Sequence, residues 1–186
     1  MMGRSVFLAL LFFFLLVTAS LSQVRVSGYT RIQIKETGTG RKILSEVLRD
    51  GEQVLMTWKN SLFGLKVTEV FKAQGGVLVL HEVTFADPQG SAPPRVTPAD
   101  VDDLYQTGGP FTARGLTKPF QQVVHRVGEI GDPRVSVRGS EVAFQKEVGF
   151  GGGIVLTATA PKAYEILLER GNPSKVMNEK KGILVR

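Results

Sequence analysis

The sequence predicts an all-β protein, an antiparallel β-sandwich or open barrel of about ten short strands with one short helix inserted near residues 97–106. Two observations support this class. Apolar and polar residues alternate with a period of two in several segments, as they do in strands with one wet face. Turn signals are frequent, with 21 glycines and 9 prolines among 186 residues, and no repeat period is present.

Residues 1–22 have the layout of a secretory signal. Arg4 precedes an unbroken apolar run of 12 residues, Val6 to Val17, and small polar residues follow. A membrane span needs about 20 apolar residues, so a cleaved signal peptide is favoured over an uncleaved N-terminal anchor. We therefore expect an exported protein, periplasmic or extracellular, that meets the membrane only through this N-terminal segment.

Residues 23–170 are predicted to form a single β domain, and residues 171–186 a polar C-terminal tail. The chain contains no cysteine, which excludes a disulfide, a thiolate metal site and a cysteine nucleophile. The net charge of +6 is spread without a long run of Lys or Arg, so nucleic-acid binding is not expected. This mild positive charge is compatible with a small anionic ligand.

The first strands follow from alternation and turns. Residues 24–34 alternate as a strand, and residues 36–40 end it. A second apolar stretch, 42–49, precedes Asp50-Gly51, a dipeptide that predicts a hairpin because both turn positions tolerate positive φ. The following strand carries Val54, Met56 and Trp58 on one face.

A second hairpin is predicted at residues 74–76, with arms 66–73 and 77–85. A three-residue loop would pair Ala73 with Val77 and set Glu69 opposite His81. A shift of one residue would instead set Glu69 opposite Glu82, a disfavoured pair of like charges. A Glu69–His81 pair could fix the register of the sheet or titrate near neutral pH.

The middle of the chain differs in composition. Residues 87–94 form a proline- and glycine-containing loop, and a helix start follows. Thr97 can cap, Pro98 suits the first helical position and Asp100 can bond back to the cap, so we expect a helix that ends near Gln106.

Strand patterns resume at 120–127, 134–138, 142–148 and 154–159, with a turn at 139–140 and a glycine-rich loop at 149–153. Residues 163–170 fit a strand or a short helix equally well.

The candidate chemistry is sparse. Of the two histidines, His81 is adjacent to Glu82, and neighbours in a strand point to opposite faces, so a shared metal is not expected. No Gly-x-Ser-x-Gly elbow is present. Asp100, Asp102 and Asp103 fall on one short helix and are best explained as a solvated acidic face. We predict no metal, no cofactor and no evident catalytic set.

Residues 58–71 and 76–80, with a later stretch at 123–128, resemble the family called domain of unknown function 1850. Ser61 and Glu69 match its core motif, whereas Asn60 occupies the position of the family's histidine. The likeness covers residues 45–140, and the proline-rich loop with its helix looks inserted. Members are exported or membrane-linked and tend to accompany tripartite transporters, so the resemblance implies an accessory role beside membrane transporter subunits.

Together these observations predict a non-catalytic exported envelope protein, an accessory or binding module linked to a solute transporter. The candidate binding residues are Trp58, Asn60, Ser61, Glu69 and His81. One alternative is an extracytoplasmic hydrolase, which requires Ser61, Glu69 and His81 or His125 to converge in one pocket. Another is a structural surface protein that self-assembles through an exposed strand edge.

Overall fold

A computed structural model describes residues 25–170, so the predicted leader at 1–22 and the predicted tail at 171–186 lie outside the described residues. The predicted all-β class is confirmed, since strands of two sheets make up most of the described chain. The strands within this range are β1 (Tyr29–Glu36), β2 (Lys42–Arg49), β3 (Gln53–Lys59), β4 (Lys66–Gln74), β5 (Val77–Ala86), β6 (Arg95–Val96), β7 (Phe111–Phe120), β8 (Gln122–Arg126), β9 (Arg134–Val137), β10 (Ser140–Ala143) and β11 (Gly153–Thr159). The helices are α1 (Val101–Thr107), which continues a 3-10 turn at Pro98–Asp100, then α2 (Phe144–Val148) and α3 (Ala163–Arg170).

Both sheets lie in one compact unit, Gly28–Thr159. The smaller sheet has the order β2-β1-β11-β8 and the larger one the order β10-β9-β3-β4-β5-β7-β6. Neighbouring strands are antiparallel, except for the short β6, which runs parallel to β7.

The two sheets contribute side chains to a common core. Ile32, Ile154 and Leu156 come from the smaller sheet. Val67 and Phe85 come from the larger one, and all five are at most 2% exposed. Each such apolar side chain stabilises the fold by about 1.5–3 kcal/mol.

The described residues outside that unit form a second one, which includes residues 25–27 and 160–170. Within it the Val26 N–H donates to the carbonyl of Pro161 at 3.0 Å, and Arg25 and Lys162 form an isolated antiparallel bridge. The sequence of residues 163–170 fits a strand or a short helix equally well, and the structure shows that this segment is helical. Among the described residues, none of the helices has the length and apolar character needed to cross a membrane.

The alternation predicted for the first strand is confirmed in β1, where Thr30, Ile32 and Ile34 are buried and their neighbours are not. The strand begins at Tyr29, later than predicted. The alternation in β3 is also confirmed, with Val54 and Met56 buried and Trp58 partly buried on the same face.

The hairpin predicted at Asp50-Gly51 is wrong. β2 pairs with β1, whereas β3 pairs with β4 and β9, so this turn carries the chain from one sheet to the other. Gly51 does adopt a positive φ of 93°. Its N–H donates to the carbonyl of Ala73 at 2.8 Å, which holds the turn against the end of the β4–β5 hairpin.

The hairpin of β4 and β5 is confirmed, but its predicted register is wrong. Gln74 pairs with Val77 across a two-residue loop, because Gly75 and Gly76 both adopt positive φ. Glu69 therefore lies opposite Val83 and forms no cross-strand pair with His81. His81 is the extra residue of a β-bulge, which lets Leu80 before it and Val83 after it both face the core.

In the middle of the chain the predicted helix is confirmed, whereas the strands β6 and β7 were not predicted. β7 is irregular because its pairing with β5 shifts between Leu80 and Glu82. Its buried residues Phe111, Ala113 and Leu116 consequently lack a period of two, and Gly115 has a φ of 76°. The strand predicted at 142–148 ends at Ala143, and α2 begins at the next residue, Phe144.

Candidate functional site

The unit that contains the two sheets has a pocket of about 500 Å³, which we call the Glu69 pocket. Residues of β4, β5, α1, β7 and β8 line it together with Pro98. Its walls are mostly apolar: Phe71, Leu80, Pro98, Val101, Leu116, Phe120 and Val123. Its polar side chains are Glu69, Tyr105, Asp102, Lys118 and Thr117.

Glu69 places a partly buried carboxyl against this apolar lining. It lies between Val67 and Phe71 in the alternation of β4, and both neighbours on that face are buried. The Tyr105 hydroxyl donates to Glu69 Oε1 at 2.8 Å. Burial raises the pKa of Glu69 above its ordinary value, and hydrogen bonds from Tyr105 and the Trp58 indole oppose this rise without cancelling it.

Tyr105 is held in place by an aromatic cluster. Its ring meets that of Phe85 edge-on, with centroids 5.1 Å apart, and Phe85 in turn stacks on Phe111 at 4.8 Å. Burial and the adjacent Glu69 carboxyl raise the pKa of Tyr105 far above its ordinary value. The hydroxyl therefore stays protonated and remains a hydrogen-bond donor to Glu69.

Helix α1 brings Tyr105 over the sheet, and both of its ends are locally determined. The Asp100 carboxylate accepts hydrogen bonds from the Thr97 N–H at 3.2 Å and the Thr97 hydroxyl at 2.6 Å, as the sequence predicted. The helix ends at Gly108, whose N–H donates to the carbonyl of Leu104 at 3.0 Å. Gly108 has a φ of 77°, and a Cβ atom there would also clash with the Phe63 ring, so glycine is favoured at this position.

An exposed ion pair lies at the solvent side of the pocket. Lys118 Nζ is 3.4 Å from Asp102 Oδ1, and the two side chains are 60% and 84% exposed. A pair this accessible to solvent contributes little to stability. It does place one charge of each sign beside the opening.

Trp58 connects Glu69 with the facing sheet. Its ring meets Phe85 edge-on at 6.0 Å and is tilted against His125 of β8 at 5.9 Å. Burial lowers the pKa of His125, so this imidazole is neutral at neutral pH. Because the Trp58 indole also hydrogen-bonds the Glu69 carboxyl, Trp58 and Glu69 are the two predicted binding residues that the structure brings together.

The other predicted site residues lie elsewhere. Asn60 stabilises the turn after β3, where its Oδ1 accepts from the N–H groups of Leu62 and Phe63 at 2.9 and 3.1 Å. Ser61 is exposed in the same turn, and His81 occupies the bulge of β5. None of these three lines the Glu69 pocket. Within residues 25–170 no three His, Cys, Asp or Glu side chains are grouped so that they could hold a metal ion.

Sequence reasoning missed Tyr105 and the contribution of β7. Tyr105 follows the helix start by a few residues, but nothing local indicates that its hydroxyl meets a carboxyl of β4. Leu116 and Lys118 belong to the strand that was not predicted. A glutamate on the apolar face of β4 was the available signal, and the wrong register paired it with His81.

No protein-family model, no curated protein and no solved structure matches this chain.

Proposed function

We propose that this chain is a non-catalytic binding module of the cell envelope that takes a small ligand in the Glu69 pocket. The observation that carries the proposal is the pocket itself. Its volume of about 500 Å³ falls within the range of small-molecule sites. Apolar walls around a few fixed polar groups are also the usual composition of such sites.

The arrangement of the polar groups favours binding over hydrolysis. Of the four candidate residues for the alternative hydrolase, Ser61, Glu69, His81 and His125, only Glu69 lines the pocket, and Ser61 is exposed in a turn. Glu69 itself accepts a hydrogen bond from Tyr105, a donor fixed by ring packing. A carboxyl held in this way is suited to orienting a ligand.

The strand edges give little support to self-assembly. The larger sheet ends in β6 and β10, which have two and four residues. The smaller sheet ends in β8, with five residues, and in β2, which begins with Lys42 and ends with Arg49. Short edges and edge charges disfavour pairing with a second chain.

Two parts of the proposal rest on the sequence. Export rests on the signal-like pattern of residues 1–22. The accessory role beside membrane transporter subunits rests on the resemblance of residues 58–71 to domain of unknown function 1850.

The test is purification of the tagged full-length protein from its native membranes, followed by mass spectrometry of bound proteins, bound small molecules and the N-terminal peptide. We expect transporter subunits, a co-purifying small molecule and a peptide that reports whether residues 1–22 are retained. A Val123→Phe variant, which fills the pocket, should lose the small molecule.

The matched control is Val124→Phe, because Val124 is the neighbouring residue on the opposite face of β8 and is 59% exposed. Equal amounts of small molecule in both variants would contradict binding in the Glu69 pocket. Recovery of the protein without transporter subunits would contradict the accessory role.

A further inference from the structure

The Glu69 carboxyl lacks a compensating positive charge from the described part of the chain. Within residues 25–170 no Lys or Arg forms an ion pair with it; its hydrogen-bond partners are the Tyr105 hydroxyl and the Trp58 indole, both neutral. A carboxylate offers about four acceptor sites on its two oxygens, so these two donors leave acceptor capacity for a ligand.

The other charged and titratable groups around the pocket do not neutralise the negative charge of the Glu69 carboxylate either. On α1 and β7, Asp102 and Lys118 pair with each other in an exposed position. On β8, His125 is neutral because burial lowers its pKa. On α1, Tyr105 keeps its proton. An ionised Glu69 is thus the uncompensated charge at the inner side of the pocket.

We infer that the Glu69 pocket binds an amphipathic amine, a molecule whose apolar body packs against the pocket walls and whose ammonium group pairs with Glu69. The apolar body would contact side chains such as Phe71, Leu116 and Val123. This inference rests on the proposed function, because it names the ligand class for the same pocket.

Charge decides between the ligand classes. A buried carboxylate without a counter-charge is costly, and an ammonium group supplies that charge together with hydrogen-bond donors. An alcohol of the same length supplies a donor without the charge. A carboxylic acid would place a second negative charge beside Glu69, so the small anionic ligand predicted from the net charge is the competing outcome.

The test is a calorimetric titration of the full-length protein with decylamine, decanol and decanoic acid, each below the concentration at which it forms micelles. We expect decylamine to bind at least about tenfold more tightly than decanol, and decanoic acid to bind most weakly. Trp58 is the single tryptophan of the chain and hydrogen-bonds Glu69, so its emission should change on binding.

Three variants locate the effect. Glu69→Gln should bring decylamine affinity down to that of decanol while decanol binding persists. Glu129→Gln, a matched change of an exposed glutamate, should keep the preference for the amine. Val123→Phe should weaken all three probes.

The outcomes separate the ligand class from the site. Binding of decanol or decanoic acid at least as tightly as decylamine, lost in Val123→Phe, would overturn the amine inference and leave the pocket as a binding site. Failure of all three probes to bind, or binding unchanged in Val123→Phe, would overturn both the inference and the assignment of ligand binding to this pocket.

Discussion

The local environment of Glu69 combines two opposing effects. The apolar lining removes water from the carboxyl, which favours its neutral form, while the Tyr105 and Trp58 donors favour the ionised form. Burial dominates, so the pKa of Glu69 is raised. The folded protein therefore holds the proton of this group to higher pH than the unfolded chain does.

This shift predicts a pH-dependent stability gain in Glu69→Gln. Because the native state binds the proton more tightly, the contribution of Glu69 to stability falls as pH rises from the ordinary carboxyl range, about 4.3, through the raised pKa. Gln has no such loss and still offers an oxygen to Tyr105. The variant should thus be more stable than the native protein at pH 7, with the difference shrinking toward pH 4.

Urea unfolding followed by Trp58 emission across this pH range measures the effect. Glu129→Gln, at an exposed position, should show no such trend. A Glu69→Gln variant that is less stable than the native protein at pH 7 would contradict this prediction. It would mean that the hydrogen bonds from Tyr105 and Trp58 stabilise the ionised carboxylate by more than its burial destabilises it.

Tyr105→Phe isolates the hydrogen bond to Glu69, since it removes the hydroxyl and keeps the ring that packs on Phe85. We expect a loss of about 1.5–3 kcal/mol at neutral pH, typical of a hydrogen bond to a charged group. The pKa of Glu69 should rise further, because one of the groups that lower it is gone. Unfolding at several pH values measures both effects, and Tyr164→Phe, at a 44% exposed position of α3, is the control.

At the scale of elements, the β4–β5 hairpin depends on its two glycines. Gly76 has a φ of 87°, and its N–H donates to the Thr30 hydroxyl at 2.9 Å. A side chain in this backbone region costs about 1–2 kcal/mol even where space is available. Gly75, with a φ of 58°, lies in the same backbone region, and no atom of a neighbouring residue lies within 4 Å of a Cβ built there, so backbone strain alone would be measured at Gly75.

Gly75→Ala is therefore expected to destabilise the protein by about 1–2 kcal/mol in urea unfolding. Gly38→Ala is the matched control, because Gly38 is equally unobstructed and lies outside the positive-φ region. Equal stabilities of the two variants would show that the hairpin accommodates a side chain at Gly75 by relaxing.

Helix α1 depends on the Thr97–Asp100 interaction at its start. Asp100→Ala removes the acceptor of both Thr97 hydrogen bonds and should cost about 1 kcal/mol. We expect faster amide hydrogen exchange in α1 and a weaker Tyr105–Glu69 contact. Asp103→Ala, at an exposed position on the same helix, should leave the exchange rates near those of the native protein. Comparable acceleration of exchange in Asp100→Ala and Asp103→Ala would contradict a specific role of the Thr97–Asp100 interaction.

At the scale of the unit Gly28–Thr159, a small hydrogen-bond network joins the two sheets. Asp50 accepts from the Thr30 hydroxyl of β1 at 3.2 Å and from the Gly75 N–H of the β4–β5 turn at 3.0 Å. Thr30 is fully buried. The network therefore ties the smaller sheet to the larger one at the point where the chain passes between them.

Asp50→Ala should lower the free energy of unfolding by about 1–3 kcal/mol, because it leaves the Gly75 N–H and the buried Thr30 hydroxyl without this acceptor. Asp87→Ala is the control, since within residues 25–170 the hydrogen bonds of Asp87, such as that with the Gln89 N–H, are local to its loop. Circular dichroism and Trp58 emission should give coincident unfolding curves, as both sheets share one core. Separate transitions would show that the sheets unfold independently.

The features that depend on neighbouring residues could be predicted from the sequence. Alternation along β1 and β3, the start of α1 at Thr97 and the glycine turn of the β4–β5 hairpin were all predicted, because side-chain period, capping and positive φ are local properties. The all-β class follows from the same signals.

The pairing of the strands and its register could not be predicted in this way, because they depend on the packing of the whole unit. The sheet change after Asp50, the bulge at His81 and the irregular strand β7 all depend on contacts between residues far apart in the chain. Glu69 meets Tyr105 for the same reason: β4 and α1 are 36 residues apart at this contact, and the packing of the helix over the sheet brings them together. The pocket is a product of that packing, so no local pattern could indicate it.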